Sequence, residues 1–371
     1  MNTEKTRRVG LILAVLLLLT GCSEANMDEK SAEENMQGPA PIVEEKPLPE
    51  PSDLEIKPEE TPVAEKTPAA VETKPNQEKP ANGRGKGGGG MSMAPDNDAA
   101  AVAILNECAP KFEQYTFVDP ETGFELEYSL FVPENYSDNT QYPLIQFMPD
   151  STGTGKSAKN LVENYLGAAV WVSAEDQEKR PCFVLVPAYT EAIADDGWLT
   201  SEQLETGVKL IYHLINEYNI DTSRIYTTGQ SGGCMASLYL GTVEPELFAA
   251  SLYVGGQWDI NVLDYLTEHN FVYVTAGGDT KATGGQTEVI ELFDKSGVKY
   301  SFGEWSAQLD SETQIANAQA LLDEGCSANF IRFETGTVSP GSNGFAAEHM
   351  ASFNFAYKLD SVRDWLFQQS K

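Results

Sequence analysis

The chain has 371 residues, with 56 acidic and 25 basic side chains, and therefore a formal net charge of −31 at pH 7. Such an acidic surface repels phosphate backbones and anionic membrane surfaces, which argues against a nucleic-acid-binding protein and against direct electrostatic attachment to a membrane. Hydrophobic residues make up 41% of the chain, enough to form a folded domain with an ample core.

The first residues have the order of an export signal. Basic side chains precede an apolar run from Val9 to Leu19, which is too short to span a bilayer comfortably. The run leads into Leu-Thr-Gly-Cys ending at Cys22, which resembles the lipobox of bacterial lipoproteins. The resemblance implies that residues 1–21 form a lipoprotein signal peptide. It also implies that lipidated Cys22 holds the chain at the extracytoplasmic face of the bacterial cell membrane. A simple secretion signal that contains a cysteine is the alternative.

Residues 22–100 are rich in Pro, Glu, Lys and Gly and contain almost no clustered apolar side chains. Such a segment buries too little apolar surface to offset the entropy lost on ordering. We therefore predict a disordered tether over residues 22–100, which holds a folded domain over residues 101–371 away from the membrane.

Strand and helix patterns alternate along the domain. Continuous apolar runs are typical of strands covered on both faces, and Thr200 with Gln203 predicts a capping box at the start of an amphipathic helix. The pattern indicates an α/β fold with an eight-stranded, mostly parallel sheet, helices on both faces and an antiparallel hairpin at its start. The predicted strands are 115–118, 125–132, 143–148, 181–187, 225–228, 249–254, 271–275 and 329–333, and the main predicted helices are 157–172, 200–219, 234–240, 287–296, 312–324 and 352–369.

Four cysteines lie in the domain: Cys108, Cys182, Cys234 and Cys326. Export permits disulfides, and four cysteines allow three pairings among which the sequence does not choose. The predicted topology places Cys182 and Cys234 on opposite edges of the sheet, which argues against that pair. Packing as small buried hydrophobic residues is the alternative to a disulfide. No cysteine or histidine spacing resembles a zinc site, and we expect neither a metal nor a cofactor.

The fifth predicted strand runs directly into Gly229-Gln-Ser231-Gly-Gly233, and a helix-forming run follows. This order is typical of a nucleophile elbow, in which the backbone turns so sharply that the residues two before and two after the serine must lack a Cβ atom. The serine would lie at the amino end of a helix, where free N–H groups favour an oxyanion. Ser231 is therefore the candidate nucleophile, with an ordinary glycine-rich turn as the alternative.

With the serine after the fifth of eight strands, the chain looks like an α/β-hydrolase over residues 115–371. The segments 221–226, 245–250 and 349–366 resemble bacterial esterases of the polyhydroxybutyrate-depolymerase-like, feruloyl-esterase-like and "predicted peptidase" groups. The resemblance implies that an acid and then a histidine follow the serine in chain order, and that the reaction proceeds through an acyl-enzyme.

Three histidines are available as the general base. His213 precedes the serine in the middle of a predicted helix. His269 precedes a strand, at the edge of the sheet remote from the elbow. His349 follows the eighth strand after a glycine-rich loop, where the resemblance places the base, and it is our prediction.

A carboxylate must orient the imidazole. Asp279 follows the seventh strand and would face the histidine loop across the carboxyl edge of the sheet, so we predict it as the acid. Asp259, after the sixth strand, is the competitor, since some members of the superfamily place the acid there. Glu348 is next to His349 in sequence but on the wrong side of the ring.

The oxyanion hole should use the N–H of Gly232 and a second N–H from the loop after the third strand, contributed by Ser151 or Asp150. The His-Gly-Gly-Gly run of better-known relatives is absent from the sequence. Trp198 and Trp258 fall on loops at the same edge, where they would line a substrate-binding cleft or pack in the core.

These residues predict a serine hydrolase that cleaves small-molecule or polymeric carboxylic esters. A serine peptidase of the same fold is the alternative within the same chemistry, and a non-catalytic module that binds a glycan or a polymer is the alternative from another class. The sequence leaves the acyl and alcohol specificity open, since loop shapes determine it.

Overall fold

The structure is a computed structural model that describes residues 98–342 and 344–371. The predicted signal peptide, Cys22 and the predicted tether up to residue 97 lie outside the described residues. Within those ranges, none of the helices combines the length and the apolar character needed to span a bilayer. The first helix begins at Ala99, so the last two residues assigned to the tether are helical.

Nine strands form one sheet in the described part of the chain. The strands are β1 (Glu113–Val118), β2 (Glu125–Phe131), β3 (Tyr142–Met148), β4 (Phe183–Ala188), β5 (Ile220–Gln230), β6 (Ala250–Val254), β7 (Phe271–Ala276), β8 (Ser301–Trp305) and β9 (Ala328–Phe333). The helices are α1 (Ala99–Cys108), α2 (Ala158–Asn164), α3 (Leu166–Ala169), α4 (Ala174–Lys179), α5 (Gln203–Glu217), α6 (Gly232–Val243), α7 (Thr280–Ser296), α8 (Ser311–Leu322), α9 (Phe345–Tyr357) and α10 (Asp360–Phe367).

The strands lie in the order β1-β2-β4-β3-β5-β6-β7-β9-β8. β1 pairs antiparallel with β2 and β2 antiparallel with β4, whereas every other pairing is parallel. The predicted fold class, a mostly parallel sheet with helices on both faces and a hairpin at its start, is confirmed.

The prediction of eight strands is wrong by one, because β8 was missed. This strand lies at the edge of the sheet and pairs only with β9. Its two end residues are buried, while Phe302 and Glu304 are exposed and Gly303 is half-buried. An edge strand of this composition lacks the continuous apolar run that marks a strand covered on both faces.

Helices cover both faces of the sheet and close two hydrophobic cores. On one face α5 buries Leu204, Val208 and Ile211, together with residues of α6 and α7. The other face is covered by α2, α3, α8, α9 and α10. Each strand in the middle of the sheet is therefore buried on both sides, as its apolar sequence requires.

Several predicted helix boundaries are wrong. The predicted helix 157–172 is divided into α2, α3 and a 3₁₀ turn, and α7 begins at Thr280 and not at residue 287. The capping box at Thr200 does not form, because α5 begins at Gln203 and the Gln203 side chain bonds Thr190 instead. The predicted helix 352–369 is two helices, α9 and α10, separated at residues 358–359. Because α9 begins at Phe345, His349 lies inside a helix and not in the preceding loop.

All four cysteines of the described domain are free thiols. Burial raises the pKa of Cys108 to about 12 and also raises the pKa values of Cys182 and Cys234. Thiols this hard to ionise are poor nucleophiles, so these three cysteines act as small core residues.

β3 and β5 are neighbours in the sheet, and their ends coincide because Met148 pairs with Gly229. The chain reaches β4 on one side of β3 and β5 on the other, so the strand order reverses at this point. In open α/β sheets such a switch point leaves a crevice at the carboxyl ends of the strands. The loops after β3 and β5 therefore meet there.

His269, the histidine remote from the elbow, should make folding stability depend on pH. Its Nε2 lies 2.8 Å from Ser251 Oγ, and burial lowers the pKa of His269 to about 4. An unfolded histidine has a pKa of about 6.5, so between about pH 6.5 and pH 4 the unfolded chain binds a proton that the folded chain refuses. The contribution of neutral His269 to the free energy of unfolding is therefore complete above about pH 6.5, and it is lost as the pH falls from about 6.5 to about 4.

We expect the free energy of unfolding to fall between pH 7 and pH 5, and to fall less in His269→Gln, whose amide can still bond Ser251 but cannot titrate. Urea unfolding at the two pH values measures both slopes. Equal pH dependence in the two proteins would contradict this origin of the effect.

Candidate active site

Ser231 occupies a strained turn between β5 and α6. Its backbone has φ +52° and ψ −116°, a conformation that costs a non-glycine residue about 1–3 kcal/mol. The Ser231 N–H is held by the Val254 carbonyl at 2.9 Å, at the end of the adjacent strand β6. The surrounding sheet thus fixes a backbone conformation that exposes the serine side chain at the amino end of α6.

The two outer glycines of the motif are required by close backbone contacts. A Cβ on Gly229 would overlap the Gly233 backbone and lie 2.8 Å from the Cys234 nitrogen. A Cβ on Gly233 would overlap the Met148 carbonyl and lie 2.7 Å from the Pro149 oxygen. These neighbours are backbone atoms and cannot rotate away, so the turn needs glycine at both positions, as the sequence predicted.

The histidine predicted as the base lies beside this serine. His349 Nε2 is 2.8 Å from Ser231 Oγ, although 118 residues separate them along the chain. The side chain of His349 is 17% exposed and projects from the second turn of α9. A helix holds an imidazole more firmly than the loop that the sequence suggested.

The predicted acid completes a chain of hydrogen bonds. Asp279 Oδ2 is 2.6 Å from His349 Nδ1, and the aspartate side chain is fully buried. Its other oxygen accepts the Ala282 N–H at 3.2 Å, so the same residue caps α7. Because carboxylate oxygens accept hydrogen bonds, Nδ1 carries the proton and Nε2 is left to accept the Ser231 hydroxyl.

The competing acids are occupied elsewhere. Asp259 caps a short 3₁₀ turn, where its Oδ1 accepts the Asn261 N–H at 3.0 Å. Glu348 is buried, and its Oε1 accepts the Gly336 N–H at 2.9 Å. Neither carboxylate has a hydrogen bond to His349 among the described residues.

The other histidines are also distant from the serine. His213 lies on α5 and packs against Phe117 with 5.3 Å between ring centroids. His269 bonds Ser251 near the amino end of β6, whereas Ser231 follows the carboxyl end of β5. The structure therefore brings one of the three histidines to Ser231.

Two backbone N–H groups lie in the loops that meet next to Ser231. Gly232 opens α6, and Ser151 opens the short 3₁₀ turn after β3. Neither N–H has an acceptor within the described ranges. A Cβ on Gly232 would lie 3.0 Å from Ser151 Oγ and 3.6 Å from its nitrogen, so the two loops touch. A shallow depression between them is lined by Pro149, Ser151, Gly232 and residues 191–194.

Asp150 fixes the first of these loops through its side chain, a role that sequence reasoning missed. The carboxylate is 3% exposed, and its Oδ1 accepts the Thr152 N–H at 2.8 Å. Its Oδ2 accepts from Gln230 Nε2 at 2.8 Å, directly before Ser231. The link ties the loop after β3 to the elbow. Nothing in the sequence around Asp150 signals a partner 80 residues away.

The two predicted substrate-binding tryptophans differ in exposure. Trp198 is 42% exposed and has φ +62°, a strained conformation for a bulky residue. Trp258 is only 4% exposed and packs edge-on against Trp198, with ring centroids 5.4 Å apart. Trp198 is thus exposed to solvent on the loop whose residues 191–194 line the depression. Trp258 is buried and packs against the Trp198 ring.

Two phenylalanines flank the imidazole of His349, and neither was singled out from the sequence. The Phe345 ring stacks on the imidazole with centroids 5.5 Å apart and planes 12° apart. The Phe353 ring meets it edge-on at 5.0 Å. The spacing of four residues on either side of His349 was the available signal, but it has meaning only if the histidine lies within a helix.

No protein-family model matches the sequence, and no curated protein matches it significantly. Solved structures do resemble the fold. A thermostable esterase is 25% identical, with a TM-score of 0.58 over 71% of this chain and 64% of that one. The chain thus spans less than two thirds of that esterase's length.

Two more distant structures are feruloyl esterases. The feruloyl esterase module from Clostridium thermocellum is 12% identical, with a TM-score of 0.48 over 72% of this chain and 92% of that one. The ferulic acid esterase from Anaeromyces mucronatus is 13% identical, with a TM-score of 0.42 over 68% and 91%. The sheet order together with the similarity to the thermostable esterase shows that the domain has the α/β-hydrolase fold.

The glycine contacts of the elbow predict a large difference between two Gly→Ala substitutions. Gly233→Ala should destabilise the domain by about 3 kcal/mol, because the new methyl group meets fixed backbone oxygens. Gly284→Ala lies in a helix with open space around the Cα atom and should be neutral or stabilising by up to about 1 kcal/mol. Denaturant unfolding measures both, and similar values for the two variants would contradict the contacts described.

Proposed function

We propose that the chain is an extracytoplasmic, membrane-anchored serine hydrolase that cleaves carboxylic esters through an acyl-enzyme. The hydrogen-bonded series from Ser231 through His349 to Asp279 carries the proposal. A serine hydroxyl is a weak nucleophile and needs a base that is itself oriented by a third group. The three residues meet both needs in the chain order Ser, Asp, His.

In the first half-reaction Ser231 Oγ attacks the ester carbonyl while its proton passes to His349 Nε2. The buried Asp279 carboxylate keeps the imidazole oriented and stabilises the imidazolium that forms. The carbonyl oxygen becomes negatively charged and accepts hydrogen bonds from the free N–H groups of Gly232 and Ser151. When the C–O bond breaks, the imidazolium gives its proton to the departing alcohol.

In the second half-reaction a water molecule replaces the alcohol. His349 takes a proton from the water, whose oxygen attacks the acyl carbon, and the same two N–H groups again stabilise the oxyanion. The bond to Ser231 Oγ breaks, the proton returns to the serine, and the carboxylic acid leaves.

We favour an ester over a peptide as the proposed substrate, because the solved structure that shares this fold at a TM-score of 0.58 is an esterase. The same machinery would cleave amides if the site protonated an amine leaving group and accommodated a peptide. Parallel assays with nitrophenyl esters and with peptide anilides separate the two activities.

The anchor is a second part of the proposal and rests on the lipobox resemblance at Cys22. The domain carries 38 acidic and 14 basic residues over 101–371 and would be repelled by anionic lipids. A lipid on Cys22 and a long solvated tether would hold the site near the membrane without contact between the domain and the lipid surface.

Hydrolysis of short nitrophenyl esters should depend on the three hydrogen-bonded residues. We expect Ser231→Ala to lower kcat by at least about 10³-fold, and Asp279→Asn to lower it by about 10⁴-fold because the imidazole then takes the wrong tautomer. Asparagine also caps helices well, so the fold should tolerate the second change.

Asp259→Asn is the matched control and should keep kcat within about 2-fold of the wild type, because Asp259 bonds only its own turn. A fluorophosphonate should label the wild-type protein at Ser231 and leave Ser231→Ala unlabelled. Absence of both turnover and labelling in the wild type would reject the enzyme and favour a binding module. A larger loss in Asp259→Asn than in Asp279→Asn would reassign the acid.

Membrane attachment should depend on Cys22. In a bacterial host, the full-length chain should incorporate labelled palmitate and sediment with membranes, whereas Cys22→Ser should do neither. The buried Cys234 gives the control, because Cys234→Ser removes a thiol without touching the lipobox. Membrane retention of the Cys22→Ser protein would contradict the anchor.

A further inference from the structure

Helix α9 presents three aromatic rings on one face, at positions 345, 349 and 353. Residues four apart on a helix lie one above the other, so His349 is in the middle of the series. Phe345 stacks nearly parallel to the imidazole, at 5.5 Å and 12°, and Phe353 meets it edge-on at 5.0 Å and 80°. The imidazole is thus held between two phenyl rings in addition to its hydrogen bonds.

The two phenylalanines are held differently. Phe353 is 3% exposed and lies in the core, where a Cβ on Gly255 would come within 2.8 Å of its ring. Phe345 is 39% exposed at the first position of α9. The ring contact that the structure gives Phe345 is its stack with His349.

Different groups face the two nitrogens and one ring face of the His349 imidazole. Asp279 faces Nδ1, the Ser231 hydroxyl faces Nε2, and the neighbouring Glu348 carboxylate points to Gly336. The Phe345 ring lies nearly parallel to the imidazole, with centroids 5.5 Å apart. The quadrupole of a phenyl ring adds an attraction for a cation to the stacking that a neutral imidazole also has. The contact therefore strengthens when the proton moves from Ser231 to His349.

We propose that Phe345 is a positioning residue for the general base: its ring holds the His349 imidazole in line with Ser231 and stabilises the imidazolium of the transition state. The inference rests on the proposed function, since it requires His349 to accept a proton. An interaction stronger in the transition state than in the ground state raises kcat and leaves substrate binding unchanged. Phe345 therefore contributes to turnover and not to affinity.

Three variants test the role of the ring. Phe345→Leu removes the aromatic face and keeps an apolar side chain, whereas Phe345→Tyr keeps the face. Phe302→Leu is the matched control, because Phe302 is 41% exposed on β8 and lies under the Arg332 guanidinium, 5.3 Å from its ring centroid. Each is compared with wild type for kcat and KM on a nitrophenyl ester, after denaturant unfolding has shown that it is folded.

We expect Phe345→Leu to lower kcat by about 2- to 30-fold, the range of a cation–π contact, with KM within about 2-fold of wild type. Phe345→Tyr should keep at least about half of the wild-type kcat, and Phe302→Leu should match wild type. Proton NMR gives a readout that does not need turnover. The Hε1 signal of His349, one of three histidines in the chain, should be shifted by the ring current of Phe345 in wild type and in Phe345→Tyr but not in Phe345→Leu.

The outcomes separate this inference from the proposed function. A wild-type protein without turnover or fluorophosphonate labelling rejects the hydrolase, and with it the role of Phe345. An active wild type with an unchanged kcat in Phe345→Leu overturns the inference alone. A change confined to KM would also overturn it, because the ring would then be a substrate contact. Equal losses in Phe345→Tyr and Phe345→Leu would also overturn it, because the tyrosine keeps the aromatic face.

Discussion

The candidate site depends on the close approach of two backbone segments, Gly233 at the start of α6 and the Met148–Pro149 carbonyls at the end of β3. The two segments can approach because β3 and β5 remain paired as far as Met148 and Gly229, and because Gly233 has no Cβ atom. Ser231 lies at the same turn, with a φ of +52°. If these segments separated, Ser231 would move away from the loop after β3, which carries the second proposed oxyanion donor.

His349 and Asp279 are held near Ser231 by two different helices, α9 and α7. Asp279 is the N-cap of α7, so its carboxylate is held by the helix that it begins. His349 lies within α9, and its rotamer is restricted by stacking with Phe345 and by the buried Phe353. Residues fixed by secondary structure hold catalytic geometry more precisely than residues on loops.

Local sequence patterns predicted much of this arrangement, but they missed the edge strand β8, the start of α9 and a hydrogen bond between distant segments. The strand before Gly229 and the helix after Gly233 made Ser231 predictable, and the chain order implied by the resemblance to α/β-hydrolases selected His349 from three histidines. The edge strand β8 was missed because Phe302, Gly303 and Glu304 lack an apolar run. The aromatic series on α9 was missed because the helix was predicted to begin at residue 352. The Asp150–Gln230 bond joins residues from different segments of the chain, and no periodicity in a single sequence reports such a pairing.

The Asp150–Gln230 bond couples the residue before Ser231 to the loop after β3. Gln230 occupies the variable position between the first glycine and the serine, yet its amide is the buried donor to Asp150 Oδ2. Replacing either residue alone leaves a buried polar group without a partner, which costs about 1–3 kcal/mol. The two positions are therefore coupled: the residue before Ser231 and the residue after Pro149 must keep a matching donor and acceptor, because an apolar residue at 150 would also leave the Thr152 N–H without its acceptor.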